Sequence, residues 1–355
     1  MSGSIKLGYF DSCTYTPEEL ILAADLIPVR LFGSQAKAST LVDTYVQSHF
    51  CPFARSCLDL ALKGFYADFA GVVISHGCDI TNQFYDLWKK HVNLGYLYYL
   101  HVPLTTEGET AKKFFINELT HFKSSLEELV GKEITQDDLQ RSIELCNETR
   151  EWLRKISELR KKDPPLVSGT ELHKLVRMSQ TTAKEEVNEI LRRKYNELSH
   201  RDLIGDRKPR ILLSGSIIDD SALIRFIEDL GISVVADDLC VGSRYYWTSI
   251  DVTRDPLHDI ATRYLTKPIL SAKVPREKRL EYLRTLIKKY QVEGVMLHQL
   301  KFCDSYHIDN VTVHKVLQAA DVPVLVFETS YTLTGRGQLR TRVEAFIELL
   351  QKTES

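Results

Sequence analysis

Cysteine is the residue type in this sequence whose positions point most clearly to chemistry. The chain has seven cysteines, and three of them, Cys78, Cys240 and Cys303, come shortly after the end of an apolar, strand-like run. In open α/β sheets, the carboxyl ends of the strands form the edge at which ligands bind. Thiolates that meet at such an edge from distant parts of a chain are suited to holding an iron-sulfur cluster.

Three further cysteines stand near predicted helix starts. Cys13 precedes a predicted helix capped by Thr16, and Cys51 precedes a proline that favours the first position of a helix. The dipole at a helix N-terminus favours a thiolate there. Cys57 lies six residues further along the same predicted helix, on roughly the same side as Cys51. The seventh, Cys146, falls in the middle of a helical pattern and is predicted to be a packing residue.

The residue pattern leaves other uses of these thiols open. A free cysteine is more often a small buried apolar residue than a ligand. Zinc sites and redox dithiols usually show CxxC or His-x3-5-His spacing, and neither occurs in the sequence. A cysteine nucleophile needs a nearby base, for which His76 and His298 are the candidates. A single histidine at a strand end is more often packed or hydrogen-bonded than catalytic.

The balance of charge excludes two classes of partner. The 355 residues include 46 basic and 48 acidic ones, a formal net charge of -2, which gives no overall field for nucleic acid or for an anionic membrane surface. The most apolar run, LGYLYYLHVPL, is too short to span a bilayer, and the first residues contain no apolar signal core. We therefore expect a cytoplasmic protein with no nucleic-acid or membrane partner.

Alternation of short β-branched runs with helical segments predicts the elements that must position these side chains. The pattern occurs at both ends of the sequence and indicates an α/β protein with two doubly wound parallel-sheet domains. Between them, charged segments with apolar residues three or four apart predict an intervening helical layer, broken near Pro164. We expect an N-terminal α/β domain over 1-105, a helical connector over 106-205 and a C-terminal α/β domain over 206-355.

Six segments carry a resemblance to a known family. FDSCTYTPEEL, CPFARS, GVVISHGCDITNQFYDLW, SVVADDLCVGSRYYW, LKFCDSY and GQLRTRVEAFIELL resemble, in the same order, the D-component subunits of the 2-hydroxyacyl-CoA dehydratase and benzoyl-CoA reductase superfamily. The resemblance implies an iron-sulfur protein with flavodoxin-like domains. It also implies an electron donor, an actin-like ATPase activator that carries its own [4Fe-4S] cluster, and a homodimer or a heterodimer with a homologous subunit.

The resemblance also implies ligands. Three cysteines of each subunit hold a [4Fe-4S] cluster in that superfamily, and they match Cys51, Cys78 and Cys303. Cys13 and Cys240 resemble positions of the double-cubane cluster branch, in which a sulfide joins two cubanes within one subunit. With Cys57 there are six candidate ligands for an [8Fe-9S] cluster. Asp79 and Asp304 directly follow ligand cysteines and are expected to cap the next turn or helix.

Three functions follow from the resemblance. The favoured one is a reductase that takes low-potential electrons from the ATP-hydrolysing activator and reduces a small, hard-to-reduce substrate at a double-cubane cluster. The alternatives are a [4Fe-4S] subunit of a 2-hydroxyacyl-CoA dehydratase or benzoyl-CoA reductase, and a non-catalytic electron-transfer protein. His76, His298 and Arg244 are the candidate catalytic residues near the cluster. One segment departs from the expected pattern: after RYLTKP, where a Cys- or Pro-containing stretch is expected, the chain has ILSAKVP.

Overall fold

A parallel sheet of four strands forms the first half of the protein. The computed structural model describes residues 5-11, 13-35, 40-202, 206-253 and 255-353. The sheet has the order β2-β1-β3-β4, and its strands are β1 (Lys6–Asp11), β2 (Ile27–Arg30), β3 (Gly71–Ser75) and β4 (Tyr96–Leu100). Three helices connect them: α1 (Glu18–Ala23), α2 (Pro52–Leu62) and α3 (Ile80–His91). The chain leaves β1 to one side and returns on the other, so the switch point lies between β1 and β3.

Helices fill the middle of the chain, as the charge-laced pattern predicts. They are α4 (Glu109–Val130), α5 (Gln136–Glu158), α6 (Gly169–Ser179) and α7 (Lys184–Ser199). Capping boxes start α5 at Thr135 with Asp138, and α6 at Ser168 with Glu171. The break between α5 and α6 contains Pro164, where the sequence predicts it.

A second parallel sheet repeats the topology of the first. Its order is β6-β5-β7-β8, from strands β5 (Arg210–Gly215), β6 (Ser233–Asp238), β7 (Gly294–Leu300) and β8 (Val324–Thr329). The helices around it are α8 (Ala222–Asp229), α9 (Ser243–Tyr246), α10 (Pro256–Thr266), α11 (Arg276–Lys289), α12 (Asp304–Gln318) and α13 (Arg336–Thr353). The expected α/β class with two doubly wound parallel sheets and helices between them is confirmed.

One apolar cluster joins the first sheet to the helical layer and to loops and helices of the second half of the chain. It contains Leu7 of β1, Phe115 of α4, Ile143 of α5 and Tyr264 of α10. Cys13 and Cys240, which follow strands of different sheets, both belong to it. The loops at the carboxyl ends of the two sheets are therefore packed against each other.

The start of α1 differs from the prediction. Thr16 does not cap the helix, which begins at Glu18 after Pro17. The hydroxyl of Thr16 instead forms a 2.6 Å hydrogen bond with the hydroxyl of Ser75, at the end of β3. A partner on the neighbouring strand has replaced the local cap.

In the part of the chain that the structure describes, every helix is too short or too polar to cross a bilayer.

Candidate functional site

The turn after β1 is organised by a buried carboxylate. Asp11 accepts backbone N–H bonds from Cys13 and Thr16, each at 2.7 Å, and another from Tyr15. These bonds satisfy amides that would otherwise be buried without partners, which would be costly. They also fix the position of the Cys13 thiol.

Cys13 and Cys240 form a fully buried pair, which we call the inner thiol pair. The Nη1 atom of Arg244 donates to the Sγ atoms of both, at 3.5 Å to Cys13 and 3.7 Å to Cys240. Arg244 lies on α9 and is itself held by an ion pair with Asp238 at the end of β6. One guanidinium thus links the turn after β1 to the loop after β6.

The surroundings of the inner thiol pair favour a negative charge. Burial raises the pKa of Cys13, but a hydrogen bond from Cys240 and the charges of Arg244 and Lys267 outweigh it and lower that pKa to about 5. Burial and the neighbouring Cys13 raise the pKa of Cys240. The surroundings therefore favour a thiolate at Cys13, which is the form that binds metals.

Cys51, Cys78 and Cys303 form a second set, which we call the outer thiol group. All three are partly exposed. Burial raises the pKa of Cys51 to about 12, and the charges of Cys303 and Cys78 contribute, so both of these thiols lie within electrostatic reach of Cys51. Cys51 and Cys303 occupy the N-cap positions of α2 and α12.

The backbone at two helix starts acts on the pKa of two of these thiols, although neither sulfur forms a capping hydrogen bond. The backbone N–H groups of Ala54 and Phe53 lower the pKa of Cys51 against the larger effect of burial. The backbone of Tyr306 acts in the same way on Cys303. Free N–H groups at a helix N-terminus stabilise anions, so the helix starts offset part of the effect of burial at these two thiols.

Cys57 and Cys146 lie in apolar surroundings. Cys57 is on α2, as predicted, and is fully buried in a cluster with Phe10 and Phe53. Burial, with the charges of Asp219 and Cys51, raises its pKa well above the usual value. Cys146 is buried in α5, and burial raises its pKa as well. Both environments resemble those of packing residues.

Four buried cations surround the thiols: Arg30, Arg244, Lys267 and Lys273. Arg30 donates to the carbonyl oxygen of Asp11 at 2.8 Å, while its Nε and Nη1 atoms have no hydrogen-bond partner among the described residues. Within the same part of the chain, no carboxylate lies within 4.0 Å of Arg30, Lys267 or Lys273. Buried charges are normally paired, so this excess of positive charge calls for a negative group at the thiols.

The donor set fits an iron-sulfur cluster better than a single metal ion. The described His, Cys, Asp and Glu side chains form no group of three that is close enough to hold one ion. A cluster of several irons is larger, so its ligands stand further apart. Five thiols at helix starts and strand ends, with excess buried cations, have the chemistry that such a cluster requires.

The three candidate catalytic residues lie in different surroundings. Arg244 contacts both inner thiols. His298 is buried on β7, where its Nε2 atom bonds to the hydroxyl of Thr329 at 2.8 Å and burial lowers its pKa to about 4. His76 is partly exposed after β3, and burial followed by the charge of Lys273 lowers its pKa. The structure therefore brings Arg244, but not His298, to the thiols.

Two expectations about the ligand loops are wrong. Asp304 is the first residue of α12 rather than its cap, because Cys303 occupies the cap position. Asp79 occupies the cap position of α3, but its side chain makes no capping hydrogen bond.

The sequence analysis missed the cations at positions 30, 267 and 273 and the organising role of Asp11. Lys267 and Lys273 bound the apolar stretch PILSA, in the segment that departs from the expected pattern. Two lysines at the ends of a short apolar loop were the available signal.

Comparisons with known proteins show what the chain is similar to. Residues 13-350 match the family model described as 2-hydroxyglutaryl-CoA dehydratase, D-component. The chain is 27% identical over 336 residues to the (R)-phenyllactyl-CoA dehydratase beta subunit of Clostridium sporogenes, covering 95% of this chain and 90% of that protein. It is 24% identical over 345 residues to the beta subunit of (R)-2-hydroxyglutaryl-CoA dehydratase from Acidaminococcus fermentans, with coverage of 95% and 90%. It is 25% identical over 343 residues to a benzoyl-CoA reductase subunit of Thauera aromatica, with coverage of 95% and 89%.

Proposed function

Because the chain belongs to the 2-hydroxyglutaryl-CoA dehydratase D-component family, we propose that it is an iron-sulfur reductase acting on a small, hard-to-reduce molecule. The family makes it a component of the dehydratase or reductase type. The observation that carries the finer proposal is the placement of five thiols and four buried cations at the carboxyl ends of the two sheets, with Cys303 packed against the cluster that contains Cys13 and Cys240.

The outer thiol group and the inner thiol pair are proposed to hold one double-cubane [8Fe-9S] cluster. Cys57, beneath Cys51 on α2, is the remaining candidate for the sixth ligand. When bound, the cluster supplies one-electron reduction at low potential. The presence of the inner pair supports this choice over a single cubane, because the outer group alone already supplies the three thiols that a [4Fe-4S] cluster is expected to use.

The protein's own part is to orient the thiols and to exclude water from the inner pair. Asp11 fixes the turn that carries Cys13, and Arg244 donates N–H bonds to both inner sulfurs. Hydrogen bonds to sulfur and burial are the means by which a protein tunes a cluster. The partly exposed outer group is the side from which an electron donor and a substrate can approach.

His76, His298 and Arg244 are the proposed catalytic residues, and each has a different position relative to the thiols. His76, two residues before Cys78 and partly exposed, is the better placed histidine for proton delivery at the outer group. His298 is hydrogen-bonded inside the second sheet to Thr329, at the end of β8. Arg244 acts through the inner thiols.

The proposed partners come from the family resemblance. An actin-like ATPase activator with its own [4Fe-4S] cluster would supply the electrons, in the cytoplasm of a cell that works without oxygen. The relatives are each named as one subunit of a larger enzyme, which supports assembly with a homologous chain, either as a heterodimer or as a homodimer.

Anaerobic purification with iron and acid-labile sulfide measured per chain tests the proposal. About eight irons per chain are expected for the double cubane. About four would favour the alternative of a [4Fe-4S] subunit of a 2-hydroxyacyl-CoA dehydratase or benzoyl-CoA reductase, carried by Cys51, Cys78 and Cys303. Protein that binds no iron under these conditions would refute both. Turnover with activator, ATP and reductant then separates a reductase from a non-catalytic electron carrier.

A further inference from the structure

The segment from Lys267 to Lys273 places one buried lysine at each set of thiols. The Nζ atom of Lys267 donates to the carbonyl oxygen of Cys13 at 3.3 Å and to the hydroxyl of Thr14 at 2.9 Å. The Nζ atom of Lys273 donates to the carbonyl oxygens of His76 at 3.0 Å and Val102 at 3.1 Å. Lys267 thus lies beside the inner thiol pair, and Lys273 beside the turn that leads to Cys78.

Tyr15 holds both ammonium groups in place. Lys267 lies 4.0 Å and Lys273 lies 5.3 Å from the centre of its ring. The Tyr15 hydroxyl also accepts the backbone N–H of Leu270, in the middle of the segment, at 3.3 Å. A desolvated ammonium over an aromatic ring is stabilised by cation-π attraction, but the ring does not cancel its charge.

Neither lysine has a carboxylate partner in the described part of the chain, although the same protein pairs a buried lysine elsewhere. Lys184 is equally buried and forms a 2.8 Å ion pair with Glu18. Burial lowers the pKa of Lys267 and of Lys273 to about 8, while the nearby thiols Cys13 and Cys78 respectively act in the opposite direction. Asp11, which lies more than 4.0 Å from both ammonium groups, also acts in that direction, so the negative charge that these lysines face is that of the thiols and of one carboxylate.

We propose that Lys267 and Lys273 are positioning residues that set the reduction potential of the group held by the thiols, Lys267 from the inner side and Lys273 from the outer side. The inference rests on the proposed function. Reduction moves one electron from a low-potential donor to the bound group and makes or breaks no bond of the protein. A fixed positive charge nearby stabilises the product, which carries one more negative charge, and so raises the potential.

Charge-removing and charge-keeping variants test this inference on the anaerobically purified full chain. Lys267→Met and Lys273→Met remove the charge, Lys267→Arg and Lys273→Arg keep it, and Lys184→Met is the control. Each protein is titrated with dithionite and mediator dyes, and the reduced centre is followed by electron paramagnetic resonance. At a fixed potential, we expect the ratio of reduced to oxidised centre in each methionine variant at positions 267 and 273 to be at least tenfold lower than in the wild type. For a one-electron reduction, a tenfold change corresponds to a midpoint potential that is lower by about 59 mV.

The controls separate charge from shape. The arginine variants and Lys184→Met are expected to stay within threefold of the wild-type ratio of reduced to oxidised centre. Methionine variants with wild-type iron and a wild-type midpoint would overturn the inference and leave the proposed function standing. Where a methionine variant loses its iron, retention of iron by the matching arginine variant supports the inference, and loss from both overturns it. Wild-type protein without iron would refute the proposed function itself.

Discussion

Arg244 reaches from the loop region of the second sheet to the Sγ atom of Cys13 after the first strand, at 3.5 Å. The same guanidinium donates to Cys240, Asp238 and the hydroxyl of Tyr306. Arginine can do this because its planar fork presents several donors in fixed directions. The contact therefore joins the two halves of the protein at the inner thiol pair.

Arg244→Met is expected to lower the free energy of unfolding of the iron-free protein by about 3 kcal/mol, because it breaks a buried ion pair and leaves Asp238 with Arg279 alone. Arg244→Lys keeps the charge but not the fork, so we expect a smaller loss. Urea unfolding without oxygen measures both. Arg141→Met, which removes an exposed partner of Asp138, should change stability by less than about 1 kcal/mol. Wild-type stability of Arg244→Met would contradict the assigned contact.

Removing the inner thiol pair should halve the iron content of the protein. We expect the double variant Cys13→Ala with Cys240→Ala to fall from about eight irons per chain to about four, because the outer group keeps three thiols. Iron and sulfide analysis of anaerobically purified protein measures this. Cys146→Ala is the matched control, a buried thiol in α5 whose loss should leave the iron unchanged. Undiminished iron in the double variant would show that the inner pair holds none.

The sequence predicts individual positions well where the signal is local. Alternating patterns place Cys78, Cys240 and Cys303 after strands, and the proline after Cys51 marks the start of α2. The grouping of thiols into an inner pair and an outer group depends on how the two sheets face each other. No local pattern contains that information.

Other features escape sequence analysis because a tertiary partner decides them. Thr16 has the residue type of a helix cap, yet its hydroxyl bonds to Ser75 and the nearby N–H groups bond to Asp11. Lys267 and Lys273 lie in an irregular segment without periodicity, so their burial is invisible in the sequence. The strand β4 reads as an apolar run, but it is an edge strand whose first four residues are partly exposed.

Acid should destabilise the iron-free protein partly through Glu19. Burial raises the pKa of this carboxyl, but the charges of Arg150 and Arg263 and a hydrogen bond from Arg150 outweigh it, so the pKa lies below its usual 4.5. The folded state then binds fewer protons than the unfolded state. The stabilisation is present above about pH 4.5 and is lost as the pH falls through the lowered value.

Glu19→Gln is therefore expected to be less stable than the wild type at pH 7 and to lose less stability between pH 5 and pH 3. Urea unfolding across that range measures the difference. Glu151→Gln, which removes an exposed partner of Lys155, should keep the wild-type acid dependence. An unchanged slope in Glu19→Gln would show that its pKa is not lowered in the folded protein.

Gly215 ends β5 at the switch point of the second sheet and tolerates no side chain. Its φ is 143°, and a Cβ atom would stand 2.0 Å from the carbonyl oxygen of His298 on β7. Gly231 also has a positive φ, 99°, but a Cβ atom there would meet nothing within 4 Å. A comparison of alanine variants at these two glycines therefore separates the free-energy cost of a strained backbone from the cost of a steric clash between strands.

Gly231→Ala is expected to lower the free energy of unfolding by about 1-2 kcal/mol, the cost of a left-handed conformation for a residue with a Cβ atom. Gly215→Ala should lose more than twice as much, because β5 and β7 must also move apart. Since that movement displaces the loop after β7, which carries Cys303, the variant should also retain less iron than Gly231→Ala. Chemical unfolding and iron analysis measure the two effects, and equal losses in both variants would argue against the close approach of Gly215 to His298.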